Sequence, residues 1–353
     1  MRRIHELLVN AVSGENPLFG KGIFAFQNID GKRAYFPIDV SGKGNECQVS
    51  DFSQFDIASI TKFFLTILYH ILRERFGKFD NNTLVAPVLG MSGAFTEHLT
   101  VGHLLQFCAQ FTAKGYPTKD IVARSKNGVV NGLTETLTSC GLEKMPGESW
   151  TYGNPHSILL GFFLERAMGE SLESLMQKHL LDPLDMHRTT VRPVPDGSVI
   201  QSGKETSGGT IHDPTARAAL SEGRVIGSAG YFSTASDLLN LLGMIHQGGM
   251  HGENRIISGE TARTLHAGML PIFGNGAGKW NVYRKGLVPE AFMDDLAIFK
   301  LGHTGCIVFV SKRHGICGTV LTDYLMYHSE SEKRTPLYGL FAQLGTAAGL
   351  CLL

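Results

Sequence analysis

The chain has 353 residues, 43% hydrophobic and 18% charged, enough to bury a substantial core in one large domain or two interleaved ones. Lys plus Arg and Asp plus Glu both number 32, so no basic excess points to nucleic acid or an anionic membrane surface, and a small uncharged or zwitterionic partner fits better. The cysteines (Cys47, Cys108, Cys140, Cys306, Cys317 and Cys351) are scattered and form no C-x-x-C pair, so reduced thiols are expected.

The first stretch, MRRIHELLVNAVSGENPL, reads as a helix. Glu6, Asn10 and Glu15 interrupt its apolar run, which is unlike a secretory leader, so a cytoplasmic protein is expected. KGIFAFQNIDGKRAYFPIDVSG follows as two strands around an Asp-Gly turn. Residues 58–76 carry a helical apolar pattern stopped by Gly77, with further helices at 100–110, 157–168 and 171–181. Neither FFLTILYHIL nor the tail LGTAAGLCLL reaches the roughly 18 apolar residues that span a bilayer. Beyond GGTIHDPTA come a helix at 234–247, two β-rich runs, AIFKLGHTGCIVFVSK and GICGTVLTDYLM, and a last helix near 334–348.

Strands at both ends with helices between them predict an α/β (α+β) fold. Its antiparallel sheet would be assembled from the N- and C-terminal segments and flanked by helices. In this reading residues 1–353 form one domain, in which 1–64 and 201–353 make an α/β lobe and 65–200 an inserted, mainly helical lobe.

Chemistry enters at FDIASITKFFLTIL, where Ser59 and Lys62 would lie on one helical face, about 5–6 Å apart at Cβ. A serine hydroxyl attacks only when a base takes its proton, and a lysine serves only when desolvation or a nearby cation lowers its reference pKa of about 10.4. The plainer alternative is that Ser59 caps a buried helix.

In WTYGNPH, Tyr152 could share a proton with a lysine and the Asn154 amide could donate to Lys62 or to substrate, although Gly-Asn-Pro also reads simply as a turn. LGHTGCIVFV offers the polar side chains of His303 and Thr304 at the start of a strand, Gly305 for close approach, and the Cys306 amide; a strand bulge is the alternative. GNGAGKW at 274–280 lacks the spacing of a phosphate loop. His212 and Asp213 have no ligand-spaced companions and read as a structural hydrogen-bonded pair lining the cleft, so no metal or cofactor is called for.

The order and spacing of these three motifs resemble the serine β-lactamase and penicillin-binding-protein superfamily, most closely its class-C-like branch of esterases, transesterases and D-aminopeptidases. HLLQF at 103–107, the segment from GESW to HRTT at 147–190, GGTIHDPTARA at 208–218 and SAGYFSTASDLLNLLGMI at 228–245 extend the resemblance over most of the chain.

The resemblance implies a β-lactamase/transpeptidase-like fold and a serine hydrolase or acyltransferase acting through an acyl-enzyme on small esters or amides. A β-lactamase or D-amino-acid peptidase is the alternative within that class, and an inactive binding protein of the same fold the alternative outside it. By the same resemblance, Ser59 is the nucleophile, Lys62 its partner in proton transfer and Tyr152 the general base. Asn154 orients Lys62 and substrate, His303, Thr304 and Gly305 bind substrate, and the amides of Ser59 and Cys306 form the oxyanion hole. The implied partner is a small ester, amide or lactam, with neither nucleic acid nor membrane.

Two departures stand out. HLLQFCAQFTAKGYP lacks the THTSG-like continuation seen in many relatives, and His303 stands where β-lactamases carry a lysine that meets a substrate carboxylate. An imidazole with a reference pKa of about 6.5 carries little fixed charge at neutral pH, which favours substrates without that carboxylate.

Overall fold

The computed structural model describes residues 1–40, 48–112, 128–193, 197–204, 206–266, 296–311, 315–329 and 335–351. GNGAGKW and Cys47 lie outside them.

In chain order the elements are α1 (Arg2–Val12), β1 (Lys21–Asn28), β2 (Arg33–Asp39), β3 (Phe55–Asp56), α2 (Thr61–Phe76), α3 (Ala86–Leu89), α4 (Val101–Leu105), α5 (Val129–Ser139), α6 (Asn154–Met168), α7 (Leu172–Met176), α8 (Pro214–Ser221), β4 (Phe232–Ser233), α9 (Ala235–His246), β5 (Met250–His251), β6 (Asn254–Arg255), α10 (Gly259–His266), β7 (Leu296–Leu301), β8 (Ile307–Ser311), β9 (Ile316–Thr322) and α11 (Thr335–Cys351).

The main sheet runs β2-β1-β9-β8-β7, antiparallel throughout, so a strand near residue 25 is bonded directly to one near residue 320. Its side chains alternate with the period of two that a pleated strand imposes. Phe24, Phe26, Ile307, Phe309, Ile316 and Val320 face a layer built from α1 and α11, where the Phe309 ring meets Phe341 edge-on at 5.0 Å. Ile23, Ala25, Ile298, Val308, Val310 and Leu321 join the larger core that holds α2, α6 and α9. Helices therefore cover both faces, as an α/β chain with an antiparallel sheet requires.

α2 is buried around its whole circumference from Thr61 to Leu72, the pattern of a central core helix rather than a surface one. Gly77, in the left-handed region at φ 62°, closes it by donating to the Arg73 carbonyl. α4 stops well short of the expected residue 110, and just beyond it Phe107 takes φ 56°. Among the described residues no helix is long and apolar enough to cross a membrane.

The β-rich run AIFKLGHTGCIVFVSK forms a hairpin, β7 and β8, and His303-Thr304-Gly305, expected at the start of a strand, is the turn just ahead of β8, closed by the Gly302 amide on the Cys306 carbonyl at 2.7 Å. Gly305 sits at φ 96°, and a Cβ there would fall 2.4 Å from Tyr324 Cβ and 2.6 Å from Thr322 Oγ1. Its glycine is thus demanded by the turn and its packing. Gly305→Ala is expected to cost at least about 2 kcal/mol through left-handed strain and overpacking. A wild-type urea midpoint in that variant would refute this account.

Candidate active site

The site is built around the turn that carries Ser59. β3 pairs with β4 and the Ile57 amide donates to the Tyr231 carbonyl at 3.1 Å, which anchors the backbone entering a 3₁₀ turn at Ala58–Ile60. Ala58, just before Ser59, takes φ 44°, a strained value for a residue with a Cβ.

Asp56 holds that strain. It is 1% exposed; its Oδ1 accepts the Ala58 amide at 2.8 Å, its Oδ2 accepts the His212 amide at 2.7 Å, and its carbonyl accepts Thr304 Oγ1 at 2.5 Å. Burial raises its carboxyl to about 6, against the lowering effect of the two amides. Three distant segments meet on this one residue, which motif reading passed over because its role lies in backbone bonds. Asp56→Ala would orphan two amides at about 1–3 kcal/mol each and free the Ser59 turn, so a fall in turnover of about 10²-fold is expected alongside lower stability. Asp56→Asn, which keeps one acceptor oxygen, should fall between the two in urea melts and in rate.

Ser59 is half-buried and Lys62, in the first turn of α2, is 2% exposed. Lys62 Nζ donates to Ser59 Oγ at 3.0 Å and to the Ser228 carbonyl at 2.7 Å. Neither bond comes from Asn154, which is half-buried at the start of α6. Burial is the main cause that lowers the Lys62 amine below its ordinary value; the Tyr152 phenol opposes it and the Lys300 cation adds to it. An amine so displaced spends more of its time neutral, the form that can accept a serine proton.

The second motif closes on the first. The Lys62 amine lies 5.4 Å from the centre of the Tyr152 ring, whose other neighbours include the Phe107 ring at 5.0 Å and the amine of Lys300 at 4.6 Å. Lys300 Nζ donates to the Tyr152 hydroxyl at 3.1 Å. Lys300 is 4% exposed and burial pushes its amine down to about 7. Sequence reasoning missed it. The available signal was a lysine on the inward face of β7, in step with Ile298 and paired with Val308, where an apolar residue belongs.

The third motif packs against the backbone leading to Ser59. A Cβ on Gly302 would lie 2.5 Å from the Ile57 carbonyl oxygen. Thr304, read from sequence as a polar group for substrate, is fully buried with its hydroxyl committed to the Asp56 carbonyl. Cys306 Sγ is 3.5 Å from the same carbonyl, and burial pushes its thiol up to about 12, so it stays protonated and unreactive. His303 is half-buried and its ring stacks on His212 at 5.4 Å and 22°. Asp213 Oδ1 caps α8, accepting the amides of Thr215 and Ala216, both at 2.9 Å. Among the described residues no three His, Cys, Asp or Glu side chains gather to hold a metal ion.

A serine in the 3₁₀ turn that leads into a core helix, a lysine in that helix's first turn, a tyrosine brought over them from the loop before α6, and a glycine-bearing hairpin turn against the Ser59 backbone define a β-lactamase and penicillin-binding-protein type of scaffold. The chain belongs to the Beta-lactamase family, whose profile matches residues 21–343. A protein of Escherichia coli O157:H7 named "Putative D-alanyl-D-alanine carboxypeptidase" is 26% identical over 283 residues, 71% of this chain and 64% of that protein. The chain thus spans a little under two thirds of the length of the first curated relatives it matches. Among solved structures, the D-amino acid amidase from Ochrobactrum anthropi SV3 superposes with a TM-score of 0.70 at 15% identity, over 100% of this chain and 99% of that one. A beta-lactamase/D-alanine carboxypeptidase from Pseudomonas syringae gives 0.69 at 18% identity, over 98% and 99%. At such identities these two establish the fold alone.

Proposed function

We propose that this chain is a serine hydrolase or acyltransferase working through an acyl-enzyme on Ser59. The observation that carries the reading is a buried lysine amine, depressed from its ordinary value, 3.0 Å from the Ser59 hydroxyl. In this reading Ser59 Oγ attacks a substrate carbonyl carbon and its proton passes to the Lys62–Tyr152 pair. The carbonyl oxygen becomes an oxyanion facing the amides of Ser59 and Cys306, an electrostatic contribution of the kind whose loss costs about 10²–10³ in rate. The C–N or C–O bond to the leaving group then breaks, and the leaving group takes up the proton. Water or an alcohol attacks the acyl-enzyme in the same way and regenerates the Ser59 hydroxyl. Asn154, His303 and Gly305 are assigned to the substrate side.

Small amides and esters are the favoured substrates. The names borne by relatives, a D-alanyl-D-alanine carboxypeptidase and a D-amino acid amidase, support amides as the first to assay, ahead of p-nitrophenyl esters and nitrocefin. The deciding experiment is intact-mass analysis after incubation with a fluorophosphonate and with a panel of acyl donors. A single adduct mapped to Ser59 is expected; no adduct under any condition favours a binding protein that kept the fold without turnover.

A further inference from the structure

Lys300 belongs to none of the three motifs, yet it is the residue that grips the proposed base. β7 turns it inward from the edge of the sheet, opposite Val308, and its amine meets the Tyr152 hydroxyl at 3.1 Å while lying 4.6 Å from the centre of the same ring. A lysine ammonium is rarely buried without a job, because desolvation penalises its charge and an apolar side chain would pack there at no such cost. The Lys62 amine approaches the same ring to 5.4 Å, so one phenol stands between two buried amines.

We propose that Lys300 is the positioning residue of Tyr152, holding the phenol in place and exchanging its proton. This rests on the acyl-enzyme reading above and adds to it a group contributed from outside the recognised motifs. The exchange is balanced within the pair: the O–H bond of Tyr152 breaks as an N–H bond forms on the neutral Lys300 amine, leaving a phenolate hydrogen-bonded to an ammonium. That phenolate can take the next proton, from Ser59 or from the attacking water or alcohol. The cation that the hairpin motif lacks is thus supplied three residues earlier, and its engagement with Tyr152 makes it part of the proton machinery.

The other titratable groups around this cluster are Lys62 on α2, His156 on α6, Asp213 at the head of α8, Asp56 at the end of β3, and the stacked His212 and His303. With one proton shared across the Lys300–Tyr152 pair the base is competent, and with two it is not. The rate should therefore rise with pH through an inflection near the Lys300 amine value of about 7.

The test compares wild type, Lys300→Met and Lys300→Arg by kcat/KM against pH on one p-nitrophenyl ester, with melting temperature and fluorophosphonate labelling of Ser59 measured alongside. Lys300→Met is expected to lose about 10²–10³-fold in rate, to shift or lose the inflection, and to melt no lower than wild type. Lys300→Arg keeps a charge that cannot be given up, so it should recover part of the rate without the inflection. A Lys300→Met protein with the wild-type rate and pH profile overturns the proposal, as does a rate that falls only in step with melting temperature while the profile keeps its shape. If wild type itself takes no label, the acyl-enzyme reading has failed instead.

Discussion

Ser59→Ala is expected to remove turnover almost completely, by about 10⁴–10⁶-fold on any ester or amide the wild type accepts. The reason is geometric. The Lys62 amine points at this hydroxyl from 3.0 Å, and the whole turn is shaped to present it, with Ala58 held at φ 44° and both Asp56 oxygens bonded to backbone amides. The alanine variant retains that shape, the amides and the two lysines, so a small residual rate from binding and oxyanion stabilisation should persist. Stopped-flow release of p-nitrophenol separates the outcomes. Wild type should show a burst equal to the enzyme concentration when deacylation is slow, and the variant a linear trace from time zero. A burst of unchanged amplitude in Ser59→Ala would place the nucleophile elsewhere.

Lys62→Met comes second, with an expected loss of about 10³-fold or more in kcat/KM. Residues that move one proton act as a unit, so the double variant Ser59→Ala/Lys62→Met should be no slower than Ser59→Ala alone. Stability gives an independent reading with a definite sign. The Lys62 amine is lowered from 10.5 in the fold, so the folded protein disfavours its charged form. That penalty is present in full below the folded value and disappears as pH rises through the window up to 10.5, where the unfolded lysine also loses its proton. The stability of Lys62→Met relative to wild type should therefore be greatest near neutral pH and decline toward pH 10, as followed by urea unfolding. A difference that grows with pH would contradict the depressed amine and with it the proton-accepting role.

How much of this was legible depends on where each signal sits. Ser59, Lys62, Tyr152 and the His303 turn stood out as candidates because they sit in local patterns: a serine and lysine one turn apart, a tyrosine ahead of a helix, a glycine beside two polar residues ahead of a strand. The antiparallel sheet built from both chain ends was visible too, because β-prone residues flank an Asp-Gly turn near the N-terminus and recur in runs such as IVFVS toward the other end. Asp56 and Lys300 escaped for the same physical reason: each acts through a partner more than 90 residues away, the His212 amide and the Tyr152 hydroxyl, and sequence spacing holds no trace of such contacts. The bond from Thr304 to the Asp56 carbonyl was not legible, because the motif reveals which residue is polar and not which way the hairpin turns it. The exact helix ends escaped as well, since the stop of α4 depends on tertiary packing of Phe107 against Tyr152 and His156.

The position of β1 between β2 and β9 sets the order in which the protein can be completed. During synthesis β1 and β2 emerge as a hairpin with one edge of β1 bare, and that edge stays without its partner until residues 316–322 have left the ribosome. Thr304, which fastens the third motif to Asp56, arrives equally late. A chain released before those residues would carry Ser59 and Lys62 yet hold neither a closed sheet nor the Thr304 bond that steadies Asp56, so the frame around Ser59 should form only after residue 322 has emerged.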